Sequence, residues 1–555
     1  MPALLFVGLF LNFGAVFIRL MKRIIYTLLF FIALTPCLQA QSRDCINTPA
    51  RENFNVLHYD LAISFDTLNS TLNGIVKIKA DLLKDPEAEF QIDLQEPLQV
   101  SKVVYGNVEL ALKKQKDKYL VKIPGLKVKE TFVLEVHYSG QPKAAVKAPW
   151  DGGMVRTKDG RGKIWWAVAC QGAGASVWFP CKDINADEPE MGVDLHYTVP
   201  AGLTAVGNGR FFSVTNAPDN QNTWHWKVVS PINIYDITFY VGNYLRIQET
   251  FNGINGKMDL DYFVLNENFQ LAKEHFKSVP KMLNVFEDWM GAYPFHNDGF
   301  KIVEAPYLGM EHQSAIAYGN NYQMGYLGGD RSKTGIGLLF DFILVHETGH
   351  EWFGNSISIA DPAYFWINEG FTSYTEIMYI ESMFGKEKAM DYLVGTRSLV
   401  RNKAPMQGTI GQCQNNNTDC YPKGANLVHM IRKLMKDDQA FKVMIRKMNN
   451  EFYHKVITGP EMEAFIIKES GLDLAKVFDQ YLRHKELPTL KIKRSKKGFS
   501  YKWEKCIPGF NMPVLAVING QEKWLYPTTK EQSHSEAGAA SFAVQKEFYC
   551  NLTLE

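Results

Sequence analysis

From Val56 onward, apolar and polar positions alternate. In VLHYDLAISF, Leu57, Tyr59, Leu61, Ile63 and Phe65 fall on one side of an extended chain, and His58, Asp60, Ala62 and Ser64 on the other. In IVKIKADLL, Val76, Ile78, Ala80 and Leu82 alternate with Lys77, Lys79 and Asp81. A period of two puts one set against a core and the other in water, which predicts half-buried strands. Turn signals such as Asn73-Gly74 and Gly140 punctuate further short runs to about Leu245. Residues 41–246 are therefore expected to form an all-β sandwich or saddle.

The period changes near Ile247. DLDYFVLNENF predicts one or two strands, and the following segment has helical spacing in Leu271, Phe276, Met282, Val285 and Phe286. FKIVEAPYLGMEHQSAIAYG returns to strands, and a Gly-rich loop from Gly325 to Gly337 follows. An apolar run from Leu338 to Val345 predicts a buried helix continuing through HETGH and stopping at Gly354-Asn355. Helical patterns then persist from Glu369 to about Lys485. Strands followed by helices point to an α+β region over 247–487. Beyond Pro488 alternation resumes in Leu490 and Ile492 and in Phe499, Tyr501 and Trp503, predicting a small β-sandwich or barrel over 488–555. The fold class is thus multidomain, with an α+β region between two β regions.

Residues 21–40, MKRIIYTLLFFIALTPCLQA, show the layout of a secretory signal: Lys22 and Arg23, an apolar run from Ile24 to Leu34, and Ala40 before a cleavage point. The apolar stretch over 1–20 is read as sequence upstream of a true start at Met21, with a membrane anchor as its rival. The expected location is periplasmic or extracellular, with no stable membrane association after cleavage. Sixty basic and fifty-nine acidic residues nearly cancel, which argues against nucleic acid as a partner. Of eight cysteines, Cys37 lies in the signal. Export makes Cys170–Cys181, Cys413–Cys420 and Cys506–Cys550 sensible bridges, with Cys45 left over.

The chemistry concentrates at His346-Glu347-Thr348-Gly349-His350. One helical turn separates the two histidines, so both imidazoles can reach one ion. A zinc site that activates water needs a third ligand and an open position. Glu369, in WINEGFTSYTE and separated from His350 by eighteen residues, is the candidate. Glu347 lies between the histidines, placed to take a proton from water. Glu376, further along the same predicted helix, is a candidate partner for a ligand histidine. The other histidines, from His58 to His534, are scattered and read as structural.

HETGHEWFG followed by WINEGF resembles the aminopeptidase N family of gluzincin zinc metallopeptidases, and the likeness runs from about Asn53 to Pro488. The resemblance implies a thermolysin-like catalytic domain with one zinc ion. Gly309-Met310-Glu311-His312 matches the family strand G-x-M-E-N, with His312 in place of Asn. Glu311 inherits the role of holding the substrate's free amino terminus, with Gly309 and Met310 as backbone contacts. Tyr421 in CYPKGA matches the family tyrosine that donates to the oxyanion. CQGAGASVWFPCKD resembles the segment whose Gln or Glu also reaches the amine, which assigns that role to Gln171, although Ser176 replaces the family's usual Arg. The implied function is a zinc aminopeptidase acting on peptides with a free amino terminus. The alternatives are an aminopeptidase that is also an epoxide hydrolase of the leukotriene-hydrolase type, a catalytically silent peptide-binding protein, and an endopeptidase. The large helical array of the family's longer members has no counterpart after 488, which is expected to leave the cleft more open.

Overall fold

A computed structural model describes residues 45–413, 417–535 and 541–555; the expected signal segment lies outside them. The first alternating run forms the strand Phe54–Asp66, antiparallel to Thr71–Leu82 with Leu61 opposite Val76, and parallel to Val193–Pro200. These are central strands of an eight-stranded sheet. The inward residues of the expected pattern, Tyr59, Leu61, Ile63, Phe65, Val76 and Ile78, are buried. They pack on a four-stranded sheet made of Thr204–Gly207, Phe239–Gly242, Ile164–Ala169 and Gly153–Lys158. Phe65 of the first sheet meets Phe239 of the second at 4.7 Å between ring centroids. One core, with Trp178, Tyr197 and Trp226 among its largest members, joins the two sheets.

A second core begins with a five-stranded sheet whose order is Tyr244–Gly253, Gly256–Leu265, Phe300–Glu304, Ile316–Tyr318 and Gly309–Met310. Gly309–Met310 is thus an edge strand, pairing on one side only with Ile316–Tyr318. The helices Phe269–His275 and Val279–Met290 cover this sheet as two pieces with a 3-10 turn between, Pro280 standing in the first turn of the second. Past residue 488, a four-stranded and a three-stranded sheet meet through Phe499 and Phe542, whose rings lie 5.0 Å apart. This small sandwich shares the helical core, since Tyr481 of the last helix donates to the carbonyl of Tyr549 at 2.7 Å. No helix among the described residues is long and apolar enough to cross a membrane.

Two expectations are corrected. The helix expected from Leu338 begins at Phe342 and ends at Gly349. Asp341 decides its start: Oδ1 accepts from the Leu344 amide at 3.1 Å, an N-cap, and Asp341 also accepts from Tyr318, Asn320 and His275. The apolar residues before it form a short 3-10 turn, Ile336–Leu339, entered through Gly335 at φ 83°.

The second correction concerns the cysteines. Cys45 and Cys413 form a disulfide across 368 residues. Cys420, expected to pair with Cys413, is a buried thiol, and Cys170 and Cys181, like Cys506 and Cys550, are not bridged. Closeness in sequence favoured the 413–420 pair, but the segment before the first strand crosses to the catalytic half and reaches Cys413 first. A bridge closing so long a loop restricts the unfolded chain strongly. Cys45→Ser is expected to cost about 2–5 kcal/mol and to lower the midpoint of a calorimetric scan, with reductant doing the same to the wild type only. An unchanged midpoint would show that the bridge adds nothing to stability.

Candidate active site

Three helices build the site: α1 (Phe342–Gly349), α2 (Trp366–Phe384) and α3 (Pro422–Met435). Glycines let them approach. A Cβ on Gly424 would lie 2.7 Å from the Cα of Gly370, so α2 and α3 touch backbone to backbone. That contact carries Tyr421, at the start of α3, to Glu369 in the first turn of α2. Gly349 is equally confined, since a Cβ there would lie 2.3 Å from Thr375 Oγ1.

His346, His350 and Glu369 converge in a buried cluster with ligand atoms within 4.8 Å of one another. The Nε2 atoms of both histidines stand 3.4 Å from Glu369 Oε2. Each imidazole is oriented from behind: His346 Nδ1 lies 2.9 Å from Glu376 Oε1, and His350 Nδ1 lies 3.0 Å from the Phe353 carbonyl. These partners only accept, so each Nδ1 carries a proton and each Nε2 presents its lone pair inward. Tyr392 donates to the other oxygen of Glu376 at 2.8 Å. Glu369 Oε2 has no hydrogen-bond partner although it is buried. Two nitrogen lone pairs and an unsatisfied carboxylate oxygen facing one point call for a cation between them. Two His nitrogens and one carboxylate are a donor set that suits zinc and leave a fourth position open. Charge also gathers at this point, where a cation would take the place of the proton that the carboxylates favour on His346. Burial opposes charge on Glu369, but the attraction of His350 and His346 outweighs it and holds the carboxyl down at about 2. Burial likewise works against His346, yet Glu369 and Glu376 raise it to about 10.

Glu347 projects from α1 beside the edge strand. A Cβ on Gly309 would fall 2.7 Å from Glu347 Oε1 and from Ile343 Cγ2, so only glycine lets strand and helix approach this closely. Burial, partly offset by the two histidines, raises the Glu347 pKa. Met310 is buried in the same strand. Glu311 follows it, with a carboxylate oxygen within 4.8 Å of donor atoms of Glu347 and His350. Gln171 Nε2 donates to Glu311 Oε1, and the Tyr235 phenol reaches the same oxygen at 3.2 Å. Cys170 Sγ donates to the Tyr235 carbonyl at 2.9 Å, tying the two contributing segments together. Burial raises Glu311 as well. Tyr421 donates to Glu369 Oε1 at 2.8 Å, and its ring stacks 5.8 Å from that of His346. Burial lifts its phenol well above the usual range, so it stays protonated.

The structure thus brings Gln171, Gly309, Met310, Glu311, Glu347, Glu376 and Tyr421 together around the three convergent side chains. Ser176, where the family has Arg, is turned inward and bonds Asp183 and Gln95. His312 is buried and neutral, pushed down to about 3 by desolvation, with Nδ1 2.7 Å from the Tyr240 hydroxyl. Two contributors escape the sequence reading, and a third, Asn355, takes a contact the sequence does not assign. Asn355 donates through Nδ2 to the Glu311 carbonyl at 2.8 Å, locking the edge strand to the turn after the motif. Tyr235 and Tyr392 arrive from distant segments, and no local signal marks them.

The geometry can be set beside known proteins. Residues 55–235 match the peptidase M1 N-terminal domain and residues 274–481 the peptidase family M1 domain. The chain belongs to peptidase family M1. Among M1 relatives, Leucine aminopeptidase 2 of Candida glabrata is 22% identical over 423 residues, covering 72% of this chain and 61% of the relative. Aminopeptidase N of Lactobacillus helveticus is 21% identical over 461 residues, covering 79% and 52%. The chain thus spans about three fifths of the length of the first of these and about half of the second. The M1 zinc metallopeptidase from Deinococcus radiodurans superposes with a TM-score of 0.66 at 21% identity, covering 79% of this chain and 95% of that one. A mutant of that enzyme bound to a Tyr-Ser-Ala substrate gives 0.64 at 20%. The M1 fold is thereby shared over both domains of a two-domain enzyme.

Proposed function

We propose that this M1 chain is a zinc-dependent aminopeptidase that removes single residues from peptides with a free amino terminus. One observation carries the reading: a buried carboxylate outside the metal triad, Glu311, stands within 4.8 Å of Glu347 and His350. An ammonium group is the substrate feature that such a carboxylate would select. His346, His350 and Glu369 would hold zinc, which when bound polarises a carbonyl and lowers the pKa of water to about 7. Glu311 and Gln171 hold the amine, fixing the register so that the first peptide carbonyl lies at the triad. Gly309 and Met310, on their edge strand, offer backbone groups to the peptide. Glu347 accepts a proton from the attacking water on its carboxylate and returns it to the leaving nitrogen. Tyr421 donates to the oxygen that gains charge. Glu376 keeps the proton on His346 Nδ1 and so orients that ring. We also read the chain as exported, which the signal-like pattern over 21–40 and the Cys45–Cys413 disulfide support.

The test is a panel of aminoacyl arylamides beside their amino-acetylated counterparts. Free-amine substrates are expected to be cleaved at least about 100-fold faster, the worth of losing a charge-assisted bond and leaving a buried carboxylate unpaired. Glu311→Gln should narrow that gap. Equal cleavage of blocked and free substrates would make the enzyme an endopeptidase and remove Glu311 from its assigned role.

A further inference from the structure

Beside His346 opens a narrow cleft whose enclosed space is about 20 Å³. Phe342, Glu376 and Tyr421, which surround His346, line it, and none of the side chains bonded to Glu311 does. Tyr421 is shared by the cleft and the triad, so the cleft adjoins the site at that residue. With the amine at Glu311 and the first carbonyl near Tyr421, the residue after the scissile bond would pass the mouth of this cleft. Ile377, Leu393 and Leu399 give the cleft apolar walls. Arg331, from the Gly-rich loop before α1, is the cationic side chain in its lining. Its guanidinium lies 5.0 Å from the ring centroids of both Tyr326 and Phe342 and is held by stacking. No carboxylate among the described residues pairs with it. Glu376 faces the same space, but its oxygens are taken by His346 and Tyr392.

We propose that Arg331 is a specificity-determining residue that selects peptides carrying a carboxylate on the residue after the cleaved bond. This inference rests on the aminopeptidase reading and adds a substrate class to it. That residue lies across the mouth of the cleft, and its carboxylate meets a stacked guanidinium. Two sources supply such a group: an acidic side chain, or the free carboxyl terminus of a dipeptide.

The test holds the first residue constant as leucine and compares two pairs by kcat/KM. Leucyl-glutamate amide against leucyl-glutamine amide reports the side chain; leucyl-glycine against leucyl-glycine amide reports the terminus. The wild type is expected to prefer the anionic member of at least one pair by about 10- to 100-fold. Arg331→Gln should bring that ratio close to one, and Arg331→Glu should turn it toward a lysine amide. Because each ratio is internal to one variant, partial misfolding cancels. Ratios near one in the wild type, or a ratio unmoved by Arg331→Gln, overturn the proposal while leaving aminopeptidase activity standing. Failure to cleave any free-amine arylamide would instead strike the aminopeptidase reading. The inference is then decided by calorimetric binding of the same pairs to the Glu347→Gln protein, where equal affinities overturn it and an anionic preference supports it.

Discussion

Glu347→Gln protein is expected to bind one zinc ion per chain and to turn over peptides about 100- to 10,000-fold more slowly than the wild type. Glu347 is outside the triad that converges on Glu369 Oε2, so its loss leaves the donor set intact. Glutamine keeps the shape that packs against Gly309 and Ile343, so the edge strand keeps its place. It cannot accept a proton, and burial, which raises the glutamate toward the range where a base works best near neutrality, becomes irrelevant. The contrast with chelation is informative. Chelated wild type should lose activity and regain it on adding zinc, whereas the variant gains nothing from added zinc. Metal analysis beside kcat checks both. A variant that lost its zinc would show that Glu347 holds the metal, and the proton-transfer assignment would fall.

Tyr421→Phe is expected to lower kcat and kcat/KM together by about 100- to 1000-fold, with KM nearly unchanged. In the resting site the phenol is spent on Glu369 Oε1, 2.8 Å away. It can turn to a substrate oxygen only as that oxygen gains charge, so its value falls on the transition state. Phenylalanine preserves the stack on His346 at 5.8 Å, which isolates the hydroxyl as the missing group. A rise in KM at constant kcat would identify Tyr421 as a ground-state contact instead.

The alternating strands, the triad and Glu347 were readable from residues, because each belongs to a short pattern with a physical reason for its spacing, whereas Glu311 and Tyr421 were assigned through the family resemblance. The start of α1 was not. The apolar run Leu338–Val345 hides its break at Asp341, a residue whose capping role depends on Tyr318, Asn320 and His275 arriving from elsewhere. Tyr235 and Asn355 were missed as contacts to Glu311 for the same reason. One lies on a 3-10 turn of the β half and the other past the metal motif, and only tertiary folding brings both to one carboxylate residue. The disulfide shows the limit in its simplest form: sequence distance ranks cysteine pairs by loop length, and here the realised pair has 368 residues of separation.

That separation also sets a schedule. At a synthesis rate of about 5–20 residues per second, Cys413 follows Cys45 out of the ribosome by about 20 to 70 s. Throughout that interval Cys45 is a thiol whose proper partner does not yet exist. The next two cysteines to emerge, Cys170 and Cys181, lie buried in the β core. The bridge therefore cannot close before the β half and the chain through Cys413 have been made, and an oxidised Cys45–Cys413 pair marks a chain whose first residues have reached the catalytic half.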